Sequence, residues 1–135
     1  MFKLSKTSRT RINCIEPILI DIIEEAIQTS PVDFGIPRDG GLRTADRQAA
    51  LFAQGRTTPG AIITYTDGVN KKSYHQSGKA FDIYAYVDGK ASWDVNHLTV
   101  IAVHIKAVAW YKFGIKLTWG GSWKRFKDYP HFQLD

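Results

Sequence analysis

The chain of 135 residues contains a single cysteine, Cys14, and no long apolar run. One thiol cannot form an internal disulfide, and it excludes a structural zinc site built from several cysteines. No segment approaches the roughly 20 apolar residues that a membrane-spanning helix needs. We also predict no signal peptide, because Glu16, Pro17 and Asp21 interrupt the apolar run behind the basic N-terminus. We therefore expect a protein that is stable in a reducing cytosol and does not associate stably with membranes.

The charge is unbalanced, with 18 Lys and Arg residues against 13 Asp and Glu residues and a net charge of +5. An anionic partner is therefore expected, and both nucleic acid and the bacterial cell wall are negatively charged. The basic residues are scattered, and no nucleic-acid-binding module or Lys/Arg-lined helix is recognisable. This pattern favours general attraction to the cell wall over nucleic-acid binding, while simple solubility explains the charge equally well.

Two short segments carry the residue types of a catalytic zinc site. Ser73 to Asp82 contains His75 and Asp82, and the later segment 128–131 contains Asp128 and His131. A hydrolytic zinc site has three protein ligands, commonly His and carboxylate, and leaves one position for water. Two histidines, one carboxylate and a spare carboxylate match that inventory.

The spacing of these residues excludes a helical metal motif. His75 and Asp82 are seven residues apart, which on an α-helix separates them by roughly 10 Å along the axis. They can share one ion only if the chain turns between them, and Gly78 permits such a turn. Residues 80–87 then resemble a strand, so we expect His75 in a loop and Asp82 on that strand. Residues 131–134 alternate like a short strand, with His131 and Gln133 on one face and Phe132 packed on the other.

Ordinary structural roles compete with these assignments. His75 and Asp82 could be a polar loop pair, and His131 could be a strand histidine packed at a sheet edge. Asp128 could open a turn. Arg43 could pair with Asp39 or Asp46, His97 and His104 have the pattern of surface or helix-packing residues, and Trp119 and Trp123 are most simply core aromatics.

The motifs resemble those of a known family. The pattern Ser-x-His-x-x-Gly-x-Ala-x-Asp at 73–82, followed by acid-x-x-His at 128–131, resembles the zinc peptidases of the D-alanyl-D-alanine carboxypeptidase family. Further similarities are Gly41-Leu42-Arg43-Thr44 with Gln48, and Trp119 to Trp123 before the last motif. Many members carry Glu where this chain has Asp128. Phage L-alanyl-D-glutamate endopeptidases, which act as endolysins, are more similar at that position.

The resemblance implies a function and a set of roles. His75, Asp82 and His131 would bind one Zn²⁺, and Asp128 would be the catalytic general base. Arg43 and Ser73 would bind substrate, although a turn-forming role for the Ser73 hydroxyl is equally open. Zinc held by two neutral imidazoles and one carboxylate keeps a positive charge, which lowers the pKa of its water.

The expected activity is hydrolysis of the L-alanyl-D-glutamate bond in peptidoglycan. A D-alanyl-D-alanine carboxypeptidase, or a zinc-stabilised wall-binding module without catalysis, remains the alternative. As an endolysin, the protein would be a monomer that waits in the host cytoplasm and then acts on the wall during lysis.

The hydrophobic pattern predicts one α+β domain over residues 1–135, with about three helices and a few short strands. The resemblance implies that these strands form a small antiparallel sheet, as in hedgehog and DD-peptidase folds. Pro17–Thr29 is predicted as an amphipathic helix, and Thr44 is predicted to cap a second helix over 45–53. The longest helix is predicted from Asp94 or Asn96 to Phe113, with Gly114 ending it. Short strands are expected at 34–36 and 116–119, and a long polar loop at 56–72 leads into His75.

Overall fold

The computed structural model describes all 135 residues and is of the α+β class. In chain order its helices are α1 (Lys6–Ile12), α2 (Pro17–Thr29), α3 (Ala45–Ala53) and α4 (Val95–Phe113). Its strands are β1 (Asp33–Gly35), β2 (Ala80–Asp82), β3 (Tyr84–Val87), β4 (Lys90–Ser92), β5 (Thr118–Trp119) and β6 (His131–Gln133). Two short 3₁₀ helices cover Tyr74–Ser77 and Gly120–Ser122. None of the helices combines the length and apolarity that crossing a membrane requires.

Three predicted helices are confirmed, and a fourth is added. Pro17 lies at the first turn of α2, where its missing N–H costs no hydrogen bond. Thr44 caps α3 by accepting a hydrogen bond from the backbone N–H of Arg47. Gly114 ends α4 in the left-handed conformation at φ +67°. Helix α1 was not predicted, because its seven residues bury only Ser8 and Ile12 and therefore lack a long apolar stripe.

The strands form two antiparallel three-stranded sheets where the sequence predicted one small sheet. The first has the order β1-β3-β4 and the second the order β2-β6-β5. The single strand predicted over 80–87 is wrong, because Ile83 divides it into β2 and β3 in different sheets. The backbone N–H of Ile83 donates to the carbonyl of Pro130, outside either ladder, and its side chain is fully buried. This interruption directs β2 to the site and β3 to the other sheet.

One hydrophobic core of 21 buried residues joins the helices to both sheets. In the second sheet, Phe81 on β2 pairs directly with Phe132 on β6, and their rings stack with centroids 5.0 Å apart. Burying each ring contributes about 1.5–3 kcal/mol. The neighbouring pair on the same strands, Asp82 and His131, points to the opposite face of the sheet. The core packing of the two phenylalanines therefore fixes the register that places Asp82 beside His131.

Candidate metal centre

The three predicted metal ligands converge on one point. His75 Nε2 lies 3.2 Å from Asp82 Oδ1, His131 Nδ1 lies 3.1 Å from the same oxygen, and the two nitrogens are 3.3 Å apart. A tetrahedral zinc ion with ligands at 2.0–2.1 Å has ligand atoms about 3.4 Å from one another. The donor triangle is therefore close in size to one face of that tetrahedron. Asp128 is not part of this cluster of three.

A short 3₁₀ helix, and not the predicted loop, presents His75. The Ser73 hydroxyl accepts a hydrogen bond from the backbone N–H of His75 at 3.2 Å, and the Gln76 side chain accepts one from the N–H of Ser73. This reciprocal capping box fixes the start of the helix. Gly78 ends it with φ +73°, the reversal that the spacing of His75 and Asp82 requires. The structure thus assigns the turn-forming role to the Ser73 hydroxyl, and the substrate role stays a prediction.

Backbone carbonyls of Gly40 and Gly41 hold two of the ligands. His75 Nδ1 lies 2.8 Å from the Gly41 oxygen, and the N–H of Asp82 donates to the Gly40 oxygen at 2.8 Å. A carbonyl only accepts hydrogen bonds, so His75 Nδ1 carries the proton and Nε2 presents its lone pair to the cluster. Gly41 also packs so tightly that an added Cβ would lie 1.8 Å from the Arg11 oxygen. Neither carbonyl was predicted to have a role, because such contacts have no side-chain signature.

Two successive side-chain hydrogen bonds fix the orientation of the His131 ring. Its Nε2 lies 2.8 Å from Gln133 Oε1, and Gln133 Nε2 donates to Asp135 at 2.8 Å. Hydrogen bonds from Thr118 and Gln133 hold the pKa of Asp135 below its usual value. Asp135 is therefore a carboxylate that can only accept, so the Gln133 amide turns its oxygen to His131. That oxygen requires a proton on His131 Nε2, which leaves Nδ1 as the donor atom for a metal.

Arg43 hydrogen-bonds to Asp82, the predicted carboxylate ligand. Its Nη2 donates to Asp82 Oδ2 at 3.1 Å, its Nη1 to Gln48 at 3.1 Å, and its Nε to the Asp39 carbonyl at 2.8 Å. Gln48 is fully buried and also donates to the Thr66 carbonyl in the long loop. The ion pair of Arg43 is thus with Asp82, while the Asp39 carboxylate pairs with Arg47. Three of the five N–H donors of Arg43 are engaged.

The electrostatics of the cluster follow from its burial and close packing. Burial alone would raise the pKa of Asp82, but the charge of His75 and the hydrogen bonds of both imidazoles, each in its doubly protonated form, outweigh it. The net pKa of Asp82 therefore lies far below its usual range. A bound metal ion would take the place of the protons on His75 Nε2 and His131 Nδ1. Burial lowers the pKa of His131, but the hydrogen bond and charge of Asp82 raise it above the ordinary value. Asp82 is thus an anion, as a ligand for a divalent cation must be.

Asp128 lies beside the cluster without belonging to it. Desolvation by the surrounding protein atoms, and then the negative charge of Asp82, raise the pKa of its carboxyl although the residue is exposed to solvent. Its backbone N–H donates to the Gly120 carbonyl at 3.0 Å, and its own carbonyl accepts from the N–H of His131 at 3.1 Å. A Cβ added to Gly120 would lie 2.3 Å from the Asp128 oxygen. Asp128 therefore begins the turn that leads to His131, which is the structural role predicted as the alternative. The turn holds it next to that histidine.

Aromatic residues line the segment that carries Asp128. The Trp123 ring lies 5.4 Å from the His131 ring, centroid to centroid, whereas Trp119 packs against the core and donates to the Tyr129 carbonyl. Tyr65 of the long loop contacts Phe126 with ring centroids 4.6 Å apart, and we call this pair the aromatic clasp. Phe126 has φ +51°, which is uncommon outside glycine. The clasp joins the loop before His75 to the segment before Asp128.

The other two histidines bond elsewhere. His97 contacts the Ser92 hydroxyl at 2.8 Å, and His104 contacts the Thr29 side chain and the Ala26 carbonyl, each at 3.0 Å. Both lie on α4, as the helix-packing reading expected. The donor set is therefore confined to the two predicted motifs.

A family model and a curated relative match most of the chain. The family model described as phage L-alanyl-D-glutamate peptidase matches residues 1–133. Over 125 residues the chain is 34% identical to the peptidoglycan L-alanyl-D-glutamate endopeptidase CwlK of Bacillus subtilis, covering 84% of this chain and 68% of that protein.

A phage protein and a solved structure are similar as well. The chain is 32% identical over 130 residues to the L-alanyl-D-glutamate peptidase of Escherichia phage T5, covering 95% of this chain and 86% of the phage protein. The crystal structure of the Serratia marcescens L-Ala D-Glu endopeptidase ChiX superimposes with a TM-score of 0.78 at 30% identity. That match covers 99% of this chain and 90% of the ChiX chain.

Proposed function

The chain belongs to the phage L-alanyl-D-glutamate peptidase family, and from this premise we propose that it is a zinc-dependent endopeptidase of bacterial peptidoglycan. Its substrate is the stem peptide, and the bond it hydrolyses joins L-alanine to D-glutamate. The observation that carries the zinc assignment is the donor triangle of His75, Asp82 and His131, with sides of 3.1–3.3 Å. Relatives in a bacterium and in a phage, each named for this activity, support the choice of bond.

The donor set suits zinc in number, type and orientation. Two imidazoles and one carboxylate are a common catalytic set for Zn²⁺, and the open fourth position is left for water or substrate. Each imidazole has its second nitrogen committed, to Gly41 or to Gln133, as metal-binding histidines generally do. A bound zinc ion would supply Lewis acidity, lowering the pKa of water and polarising the scissile carbonyl.

Asp128 is the proposed general base. Its carboxyl accepts a proton from the attacking water and later delivers it to the departing amine. Its raised pKa suits this double use, because a carboxylate of ordinary pKa releases a captured proton more readily to solvent. Gly120 permits the close backbone approach that sets the position of Asp128. General acid–base catalysis of this kind contributes about 10²–10⁴ in rate.

Arg43 and Ser73 remain the proposed substrate contacts. Two N–H donors of the Arg43 guanidinium have no partner in the protein, and a planar fork suits a carbonyl or carboxylate oxygen. Arg43 also positions Asp82, so its replacement should affect both metal affinity and turnover. The Ser73 hydroxyl already accepts from His75 and can still donate one hydrogen bond outward.

The test is mass spectrometry of purified peptidoglycan digested by the zinc-loaded protein, with a chelator-treated sample as control. We expect peptides that begin with D-glutamate, no release after chelation, and recovery when zinc is added back. Release of terminal D-alanine alone would replace the endopeptidase with a carboxypeptidase. No cleavage by protein that retains zinc would leave a wall-binding module.

The role of Asp128 is tested by Asp128→Asn, which keeps the shape of the side chain and removes the base. We expect kcat to fall by about 10²–10⁴ while zinc affinity stays within a fewfold of the wild type. Wild-type turnover in this variant would remove Asp128 from the mechanism. A parallel loss of zinc would instead make Asp128 a ligand.

We further propose that the peptidase acts in lysis of a bacterial host, supported by its similarity to the phage T5 peptidase. The net charge of +5 favours binding to the anionic wall. Expression in bacterial cells with and without a separate pore-forming protein tests this. Lysis that depends on both the pore-forming protein and intact Asp128 would support the role in host lysis. Cultures that express both proteins and do not lyse would contradict it.

A further inference from the structure

A cavity of about 660 Å³ opens beside the metal centre. Arg43 and Ser73 form part of its wall, and each contacts a proposed ligand directly. Arg43 donates to Asp82, and the Ser73 hydroxyl accepts from the N–H of His75. The cavity is therefore continuous with the residues that hold the cluster, although no ligand itself lines it. A substrate bound at the cluster has this space available for the groups next to its scissile bond.

The wall of the cavity is cationic. Lys72, Lys79 and Arg43 line it, and Asp135 is the only acidic residue among the lining residues. The Asp135 carboxylate already accepts hydrogen bonds from Thr118 and Gln133, so it is engaged within the protein. The charge of Arg43 is paired with the Asp82 carboxylate. The free positive charge of the cavity therefore resides on Lys72 and Lys79.

Neither lysine has a partner within the protein. The ion pairs of the structure involve other basic residues, and no hydrogen bond satisfies the ammonium group of Lys72 or Lys79. The hydroxyls of Ser77 and Thr44, which also line the cavity, form hydrogen bonds within the protein. Ser77 donates to the Tyr74 carbonyl in a turn, and Thr44 accepts from the backbone N–H of Arg47 as a helix cap. Two unpaired ammonium groups on residues that line one cavity favour a ligand with a negative charge.

We propose that Lys72 and Lys79 form a carboxylate-binding subsite that recognises the glutamyl residue of the substrate. The inference rests on the proposed function, because it takes the ligand from the alanyl-glutamate bond. Glutamate has two carboxyl groups, and a stem peptide continues through only one of them, so the other remains free next to the scissile amide. The subsite distinguishes that carboxylate from a carboxamide, which has the same shape without the charge.

Two matched peptides test the selectivity. Both contain the L-alanyl-D-glutamate bond, one with the free carboxylate and one with a carboxamide in its place. The zinc-loaded wild type should cleave the carboxylate peptide with a higher kcat/KM. In the double variant Lys72→Gln/Lys79→Gln, that preference should fall about threefold to tenfold, mostly through KM, while the carboxamide peptide is cleaved as before. Lys90→Gln, a lysine on β4 outside the cavity, is the control and should keep the preference.

Direct binding separates this inference from the proposed function. N-acetyl-D-glutamate titrated into the zinc-loaded protein should shift the amide NMR signals of Ser73, Ser77 and Lys79, and the double variant should lose these shifts. Binding without any peptide cleavage would overturn the proposed function and leave the subsite standing. Cleavage with an unchanged carboxylate preference in the double variant, or wild-type shifts in it, would overturn the subsite and leave the peptidase standing.

Discussion

The hydrogen bond from His131 to Gln133 leads to a quantitative prediction about metal affinity. Gln133→Leu keeps the approximate volume of the side chain and removes the oxygen that accepts from His131 Nε2 at 2.8 Å. Without that acceptor, the imidazole can rotate or exchange its proton between the two nitrogens. His131 Nδ1 is then no longer kept unprotonated and oriented toward the cluster.

The expected size of the effect follows from what outer-sphere partners contribute. Loss of such a partner weakens metal binding about 10–100-fold, which corresponds to about 1.4–2.7 kcal/mol. The backbone pairing of Gln133 with Ala80 and Thr118 does not involve its side chain, so β6 should still form. We therefore expect a specific loss of affinity in a protein that remains folded.

Competition with a chromophoric zinc chelator at neutral pH measures the dissociation constant. Gln28→Leu is the matched control, because Gln28 is exposed on α2 and bonds only to the Glu24 carbonyl. Circular dichroism of the metal-free variants checks that both fold. A zinc dissociation constant for Gln133→Leu equal to that of Gln28→Leu would refute the reasoning about His131.

Three further predictions concern the surroundings of the site. Gly41→Ala places a methyl group against the Arg11 carbonyl, so it should destabilise the fold by about 1–3 kcal/mol and weaken zinc binding; unchanged thermal unfolding would contradict this. Arg47 holds the pKa of Asp39 below its ordinary value, so the pair stabilises the fold above pH about 4 and the contribution fades as pH falls through the lowered pKa. Arg47→Gln should thus be less stable than the wild type in denaturant titrations at neutral pH, and a deficit that persists undiminished in strong acid would argue against the pair. Phe126→Ala removes the aromatic clasp, a contact worth about 0.5–1.5 kcal/mol, and should lower kcat about threefold to tenfold without loss of zinc; equal kcat in variant and wild type would make the clasp incidental.

Three of the four helices could be predicted from the sequence. Pro17, Thr44 and Gly114 each mark a helix end through local chemistry, so α2, α3 and α4 required no tertiary information. The division between β2 and β3 could not be predicted in the same way. Residues 80–87 have one continuous strand pattern, and Ile83 interrupts it only because a distant carbonyl, that of Pro130, takes its N–H.

The candidate site was also predictable only in part. Side-chain types and spacing sufficed to select His75, Asp82 and His131, and Gly78 correctly indicated the turn between the first two. The groups that orient them were missed, because the carbonyls of Gly40 and Gly41 belong to the backbone and have no residue-specific signal. Gln133 was within reach of the sequence, since strand alternation already placed it on the face of His131.

The position of β6 within its sheet has a consequence for how the protein is made. β6 is the last strand described above, yet it lies between β2 and β5, each of which pairs with β6 and not with the other. During synthesis at about 5–20 residues per second, folding domains form from the N-terminus onward. The second sheet cannot close until residues 131–133 leave the ribosome.

The same three residues bring His131, and with it the third donor atom, 56 residues after His75. A nascent chain therefore has its helices and first sheet available early, while the cluster of three donors is complete only after His131 has been synthesised. A chain that ends before His131 keeps His75 and Asp82 but lacks the third donor. The order of the strands thus means that only chains translated through His131 can assemble the complete cluster.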